Sequence, residues 1–417
     1  MLAAAAALPF HELTLTIGRV GLRPFETLLG LALVAAVPGA RRGWLCRRFL
    51  DREVAAVVAL GALALFLMNG PGESARTFRL VIAEPALFYF LLTRLEVDRR
   101  RLAAALVLGG VAASLLGFWQ WWVGSTIEAE GVERIHGAYR SPNNLALYLD
   151  RVVPLAAAMA VYGWGLRRGE GRAVGPHSAF GQAFGSRSGP LPPGEGYYWL
   201  LGAMVMVLAQ VLTFSIGGWT ATGLGLAVVL VLARQRQVLR GLATLAIVGV
   251  LVLAVWRPER ITSHLTGAGD STSLLRVRLW GSALEMLWDH PLFGVGLDNF
   301  VYAYNPARGG SYLDPAAWRE PDLSHPHNVV LDGWLSLGIG GLLLLVGLLE
   351  RFWRLARAAL RGSGGAVALG AVGAMAAALA HGLTDNSFFL PDLAALWWAT
   401  FVLVGAQQAQ DGGLGGP

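Results

Sequence analysis

The sequence predicts an all-α protein that crosses a membrane many times, and three observations predict it. Of its 417 residues, 55% are hydrophobic and only 14% charged, against about a quarter charged in soluble domains; the mean hydropathy is +0.53. The apolar residues gather in repeated blocks of roughly 18–23, the helix length that spans a hydrocarbon core. The short loops between blocks alternate between arginine-rich and arginine-poor, as the positive-inside rule requires of a polytopic chain.

In order, the blocks fall at roughly 1–18, 22–39, 53–70, 78–95, 102–123, 144–164, 197–214, 217–233, 239–256, 327–349, 364–383 and 388–408, about twelve spans. The opening MLAAAAALPF lacks a basic n-region and reads as a short first helix rather than a signal peptide. There is no lysine, and all 33 basic residues are arginine. The pI near 9.9 therefore follows from topology signals, and no nucleic-acid partner is expected. The arginine-rich loops hold Arg41, Arg42, Arg47 and Arg48; Arg99, Arg100 and Arg101; Arg167, Arg168 and Arg172; Arg234, Arg236 and Arg240; and Arg351, Arg354, Arg357 and Arg361. By the positive-inside rule these loops are cytoplasmic, and both termini lie inside. The single cysteine, Cys46, excludes an intramolecular disulfide.

Two loops are long. Residues 165–196 are rich in Gly, Pro and Ser and predict a flexible cytoplasmic linker. Residues 257–326 fall on the outer side, where a long loop with this aliphatic and aromatic content predicts order and function. Within it Leu275, Leu279, Ala283, Met286 and Leu287 recur at helical spacing, predicting an amphipathic helix along the membrane surface. Asp289-His290-Pro291, Gly294 and Gly296 would end that helix. The whole of 1–417 reads as a single transmembrane domain.

Several chemistries are excluded. Without lysine there is no G-x-x-x-x-G-K phosphate loop, and neither H-E-x-x-H nor a D-x-D pair occurs, so no metal or cofactor is expected. The polar residues instead collect on the predicted outer face. "ERIHGAYRSPNNLALYL" carries Glu133, Arg134, His136, Arg140, Asn143 and Asn144. The amphipathic helix carries Arg276 and Arg278, and "SHPHN" carries His325, His327 and Asn328. A weaker cluster, "HGLTDNSFFLPD", carries His381, Asp385 and Asn386.

Arginine at a water–membrane boundary binds phosphate or diphosphate through its planar fork, and histidine can take a proton from a hydroxyl. Together they fit group transfer from a lipid diphosphate to a hydroxyl, with arginine stabilising the departing diphosphate. Plainer roles stand beside this. Arg134 and Arg140 could snorkel to the interface, Arg276 and Arg278 could meet lipid headgroups or solvent, His325 could shape the turn at Pro326, and His327 could cap the helix it opens. A polytopic transporter of a small anion or solute is the rival reading; it would place ionisable groups near the midplane, and Glu84-Pro85 in "VIAEPALFYF" is the one candidate.

Three segments resemble the O-antigen ligase and O-antigen polymerase family of bacterial membrane glycosyltransferases. "RIHGAYRSPNNLALYL" is similar to that family's R-x-x-G-x-x-x-x-P-N-x-x-A segment through Arg134, Gly137, Pro142, Asn143 and Ala146. "RVRLWGSALEMLWDHPLFGVGLDNF" is similar to its R-x-x-x-W stretch and h-P-h-h-G-h-G-x-x-x-F tail, through Arg276, Trp280, Pro291, Gly294, Gly296 and Phe300. "HNVVLDGWLSLGIGG" resembles its H-N-x-x-L-x-x-x-x-E-x-G-x-x-G segment through His327, Asn328, Leu331, Gly338 and Gly341. The resemblance implies a C-type glycosyltransferase fold in the bacterial inner membrane, with its site on the outer face. It implies a donor glycan on undecaprenyl diphosphate and a lipid, glycan or protein acceptor. Arg276 would bind the diphosphate and His327 would orient or deprotonate the acceptor hydroxyl, with Arg134, Arg140, Asn143, Arg278, His325 and Asn328 around the substrates. Two positions depart from the pattern. Ile216 in "TFSIGGWTA" stands where the family often has arginine, so that Arg134 or Arg140 would substitute or the lipid differs. Ser336 stands where the family commonly has glutamate.

Overall fold

A computed structural model describes residues 1–17, 20–39, 50–66, 71–129, 131–165, 195–244, 272–315, 322–361 and 365–405. Nearly all of the linker expected at 165–196, most of the block expected at 239–256, His177 and Cys46 lie outside these residues, as does part of the loop expected at 257–326. The described chain is mostly helical: α1 (Leu2–Ala6), α2 (Pro24–Ala36), α3 (Asp51–Phe66), α4 (Pro71–Thr77), α5 (Glu84–Arg94), α6 (Arg99–Val123), α7 (Pro142–Gly165), α8 (Glu195–Leu212), α9 (Ile216–Leu232), α10 (Thr272–Asp289), α11 (Phe300–Tyr304), α12 (Val329–Arg361), α13 (Gly365–Gly382) and α14 (Pro391–Val404). Among the described residues five helices, α6, α7, α8, α12 and α13, are long and apolar enough to cross a membrane. Helices α2, α9 and α14 are apolar but shorter.

The first block departs from expectation. It is not one helix: α1 ends in a 3-10 turn at Leu8–Phe10, and Leu15–Ile17 (β1) pairs antiparallel with Val20–Leu22 (β2). Pro9 has no N–H to continue a helix, and the alternating "LTLTI", rich in β-branched residues, favours a strand. The fourth block starts earlier than expected, because α4 runs through a π-helical turn, Phe78–Ala83, into α5. Pro85 cannot donate to the carbonyl one turn back, and a widened turn accommodates that loss. Beside this turn Arg79 lies 3.6 Å from both Glu84 and Glu26, and Arg23 lies 3.0 Å from Glu26.

Helices α7 and α13 form the centre of the bundle: 83% and 78% of their apolar stretches are buried, against 33% for α8 and α12. Lipid tails are as apolar as leucine, so small residues that let backbones approach decide which helices meet. A Cβ at Gly225 of α9 would lie 2.9 Å from the Gly373 carbonyl of α13, and the converse holds at the same distance. That crossing sets α9 against α13, with Pro154 of α7 packed beside it.

A helix, α10, occupies the stretch where an amphipathic surface helix is expected, and its apolar face is covered by protein. Leu279, Ala283, Met286 and Leu287 pack with Phe300, Tyr304 and Leu335 in a small core of their own. The following "PLFGVG" docks into a break in α12. Gly338 takes φ 68°, ψ −169°, a conformation open essentially to glycine alone. The break frees the Leu335 carbonyl, which accepts from Val295 N–H and Gly296 N–H at 2.9 Å each. The Ile339 N–H turns to the Leu292 carbonyl at 3.0 Å, and Trp334 Nε1 donates to the Pro291 carbonyl at 2.8 Å. The two glycine-bearing motifs read from the sequence are thus the two halves of one joint, and that joint sets α10 over the start of α12.

Candidate active site

The chain enters α12 through Ser324-His325-Pro326-His327-Asn328. Asn328 caps the helix: its Oδ1 accepts from Val330 N–H at 3.0 Å and Leu331 N–H at 3.2 Å, satisfying donors that a helix start leaves unpaired. Its Nδ2 donates to the Leu383 carbonyl at 3.1 Å, tying this start to the turn after α13. Capping thus falls to Asn328, not to His327. His327 sits one residue earlier with φ +49°, a left-handed backbone uncommon outside glycine. Its ring meets the same turn: His327 Nδ1 lies 2.7 Å from Asp385 Oδ1.

Asp385 organises the site. The turn that carries it is held by Thr384 and Asp385 N–H groups donating to the His381 carbonyl at 2.9 Å each. Its Oδ1 also accepts from Asn386 N–H at 2.8 Å. Its other oxygen, Oδ2, faces Arg276 Nη2 of α10 at 3.4 Å. Burial alone would raise this carboxyl. The hydrogen bond and charge of His327, with the charges of His381 and Arg276, outweigh burial and hold it at about 2. One buried carboxylate therefore gathers the arginine and the histidine that the sequence singled out, each on its own oxygen.

The other candidates are placed as follows. His325 pairs with Asp332 on the first turns of α12, Nδ1 to Oδ2 3.0 Å, and its ring stacks near Phe389. Burial would lower its pKa, but the carboxylate of Asp332, with Asp298 and Asp385, raises it above the ordinary value. Ser336, at the glutamate position of the resemblance, donates to Asp332 Oδ1 at 3.3 Å. Arg134 donates from Nε to the Thr213 carbonyl at 2.6 Å and from Nη2 to Asn143 Oδ1 at 2.7 Å. It thereby pins the turn leading to Ile216 against the start of α7. Arg140 projects outward with 93% of its side chain exposed, and its Nε is 3.8 Å from Glu12. Arg278 is half-buried on α10. The structure thus brings His327 and Arg276 together on Asp385, whereas Arg134 with Asn143, and Arg140, are engaged elsewhere.

Asp385 stands in the fourth polar cluster of the sequence, and the structure adds it to the site residues read from the sequence. The available signal was an acid in a short loop beside a histidine. His381, four residues before it, is bonded instead to Asp150, Nδ1 to Oδ2 2.6 Å. Among the described residues no three His, Cys, Asp or Glu side chains converge as a metal site would require. An apolar crevice adjoins the site, lined by Val329, Gly333, Leu337, Leu344, Leu348 and Phe388 among others.

Residues 201–346 match the family described as O-antigen ligase. That stretch contains Arg276, His325, His327 and Asn328, while Asp385 and Arg134 lie outside it. An O-antigen ligase of Salmonella typhimurium (strain LT2) is 32% identical over 153 residues, covering 34% of this chain and 37% of the relative. The match thus spans little more than a third of that relative's length. Through this segment the chain is similar to the O-antigen ligase family.

Proposed function

We propose that the protein transfers a glycan from undecaprenyl diphosphate to an acceptor hydroxyl on the outer face of a bacterial inner membrane, as a C-type glycosyltransferase-like bundle of about twelve spans with both termini inside. The observation that carries this is the meeting of His327 and Arg276 on the two oxygens of Asp385. With Nδ1–H donated to Asp385, the imidazole keeps Nε2 as a proton acceptor. The acceptor hydroxyl gives its proton to Nε2 as its oxygen attacks the anomeric carbon. The bond from that carbon to phosphate breaks, and its electrons leave with the diphosphate. Arg276, with one of its five donors on Asp385, has others to offer the charge that grows there. The Asp385 carboxylate offsets the charge His327 gains.

The apolar crevice supports a lipid-linked donor. Val329, Gly333, Leu337, Leu344 and Leu348 border it along α12, on both sides of the break at Gly338, so its wall is apolar from the helix start inward, as a prenyl chain requires. It starts two residues from His327, so a prenyl chain lying there would present its diphosphate to Arg276. The acceptor is a lipid, glycan or protein hydroxyl. Transport finds less support: Glu84, the candidate read from the sequence, takes part in an ion-pair cluster with Arg79, Glu26 and Arg23.

The test is transfer by purified protein from undecaprenyl diphosphate-linked glycan to candidate acceptors in proteoliposomes. His327→Ala is expected to lower kcat by about 10²–10⁴-fold, the usual worth of a general base, with the protein still monodisperse. Arg276→Lys keeps the charge but loses the fork, and is expected to cost about 10²-fold. Unchanged turnover in His327→Ala would remove the proton-transfer role.

A further inference from the structure

A second histidine–carboxylate pair lies beneath the first and takes no part in the proposed reaction. His381 Nδ1 is 2.6 Å from Asp150 Oδ2, and the side chains are 1% and 0% exposed. Asp150 and its neighbour Arg151 sit on α7, about 12 Å of helix rise past its start at Pro142. Arg151 is also fully buried. It donates from Nη2 to the Ser387 carbonyl at 2.8 Å and to Ser387 Oγ at 3.0 Å. Three ionisable groups inside a helix bundle are expensive to keep, and apolar replacements would hold helices together as well. Their contacts converge on one short stretch. The His381 carbonyl takes the N–H of Asp385 at 2.9 Å, and Arg151 grips Ser387 two residues later. The network therefore brackets Asp385 from both sides.

We propose that Asp150, Arg151 and His381 are positioning residues for Asp385, fixing the 383–387 turn so that its carboxylate faces His327 and Arg276 together. The inference rests on the transferase reading above. It also gives a reason for the glycine at 217, in the first turn of α9. A Cβ there would lie 2.7 Å from His381 Nε2 and 2.9 Å from its Cδ2, so any side chain at 217 displaces the imidazole. The residue beside it, Ile216, stands at the arginine position of the family resemblance, which places the His381 ring against the turn where this chain departs from the pattern.

The experiment compares His381→Ala, His381→Asn and Gly217→Ala with the full-length protein in the proteoliposome transfer assay, with His327→Ala alongside. His381→Ala is expected to lower kcat on the order of 10²-fold, as a displacement of about 1 Å at a reacting group does, with the KM for the lipid donor unchanged within about twofold. His381→Asn keeps a donor near the place of Nδ1 and is expected to recover most of that loss. Gly217→Ala removes no hydrogen-bonding group, so it remains informative if His381→Ala does not fold; it is expected to lower kcat in the same way. Wild-type kcat in Gly217→Ala and His381→Ala, or a raised KM with kcat intact, overturns the inference. If His327→Ala is inert while both of those variants turn over normally, only the positioning role falls. If His327→Ala turns over normally, the transferase reading falls and takes this inference with it.

Discussion

At position 327 the backbone adopts φ +49° between a proline and a helix cap. Such a conformation costs on the order of 1–3 kcal/mol outside glycine, and the contacts around it sustain that cost. Asn328 fixes the helix start, and Asp385 takes the ring. The strain aims the imidazole at a carboxylate that two other groups also use. Asp385→Asn keeps the shape but loses the charge, and is expected to lower kcat by about 10²-fold or more; wild-type turnover in the proteoliposome assay would rule out its role. The sign of the acid effect follows from the carboxyl being held at about 2, below its ordinary value near 3.9. The stabilisation from its partners is present above about pH 4 and is lost as pH falls toward 2. Thermal unfolding in detergent should therefore show the wild type losing stability across that window, and Asp385→Asn losing less. Residue type and boundary position made His327 and Arg276 legible in the sequence. Their shared partner was not legible as such, because its contacts join residues 58 and 109 positions apart.

The joint at α12 shows the same limit for elements. Sequence placed a span at 327–349 and a glycine-bearing tail after the outer helix, and both exist. The sequence did not reveal that the tail enters the helix. Glycine in a membrane helix ordinarily signals close packing, and only the partner loop distinguishes a packing glycine from a break. Gly338 is a break, with φ 68° and a would-be Cβ that would overlap the Leu292 carbonyl. Gly338→Ala is expected to cost about 1–3 kcal/mol for the glycine-only backbone conformation alone, and more for the clash. The outer loop should loosen first, read as a lower Tm and faster proteolysis near residues 291–296. An unchanged Tm would mean that the loop does not hold the break in place.

Across the whole molecule, topology is a sum of arginine positions and needs no tertiary contact to be read. In a Cys46→Ser background, Arg140→Cys is expected to react with a membrane-impermeant maleimide added outside cells, since its side chain is 93% exposed. Arg101→Cys, also exposed, is expected to react only after permeabilisation. Reaction of both from the outside would invert or break the proposed orientation. The first block shows where span counting stops. An apolar stretch of spanning length became a turn and a hairpin, because one proline and a β-branched alternation outweighed its hydropathy.

The sequence by itself determined the membrane character, the helix that became α10, and the choice of His327 and Arg276, the two side chains that the structure brings onto Asp385. Each follows from local physics: transfer of apolar side chains out of water, the charge asymmetry of insertion, and helical periodicity. Tertiary structure alone decided that Asp385 unites Arg276 with His327, that α12 breaks to receive a loop, and that Asp150, Arg151 and His381 brace the turn between α13 and α14. Those outcomes depend on which helices pack together, and small residues such as Gly225 and Gly373 settle that through approach distances that no periodicity along the chain encodes.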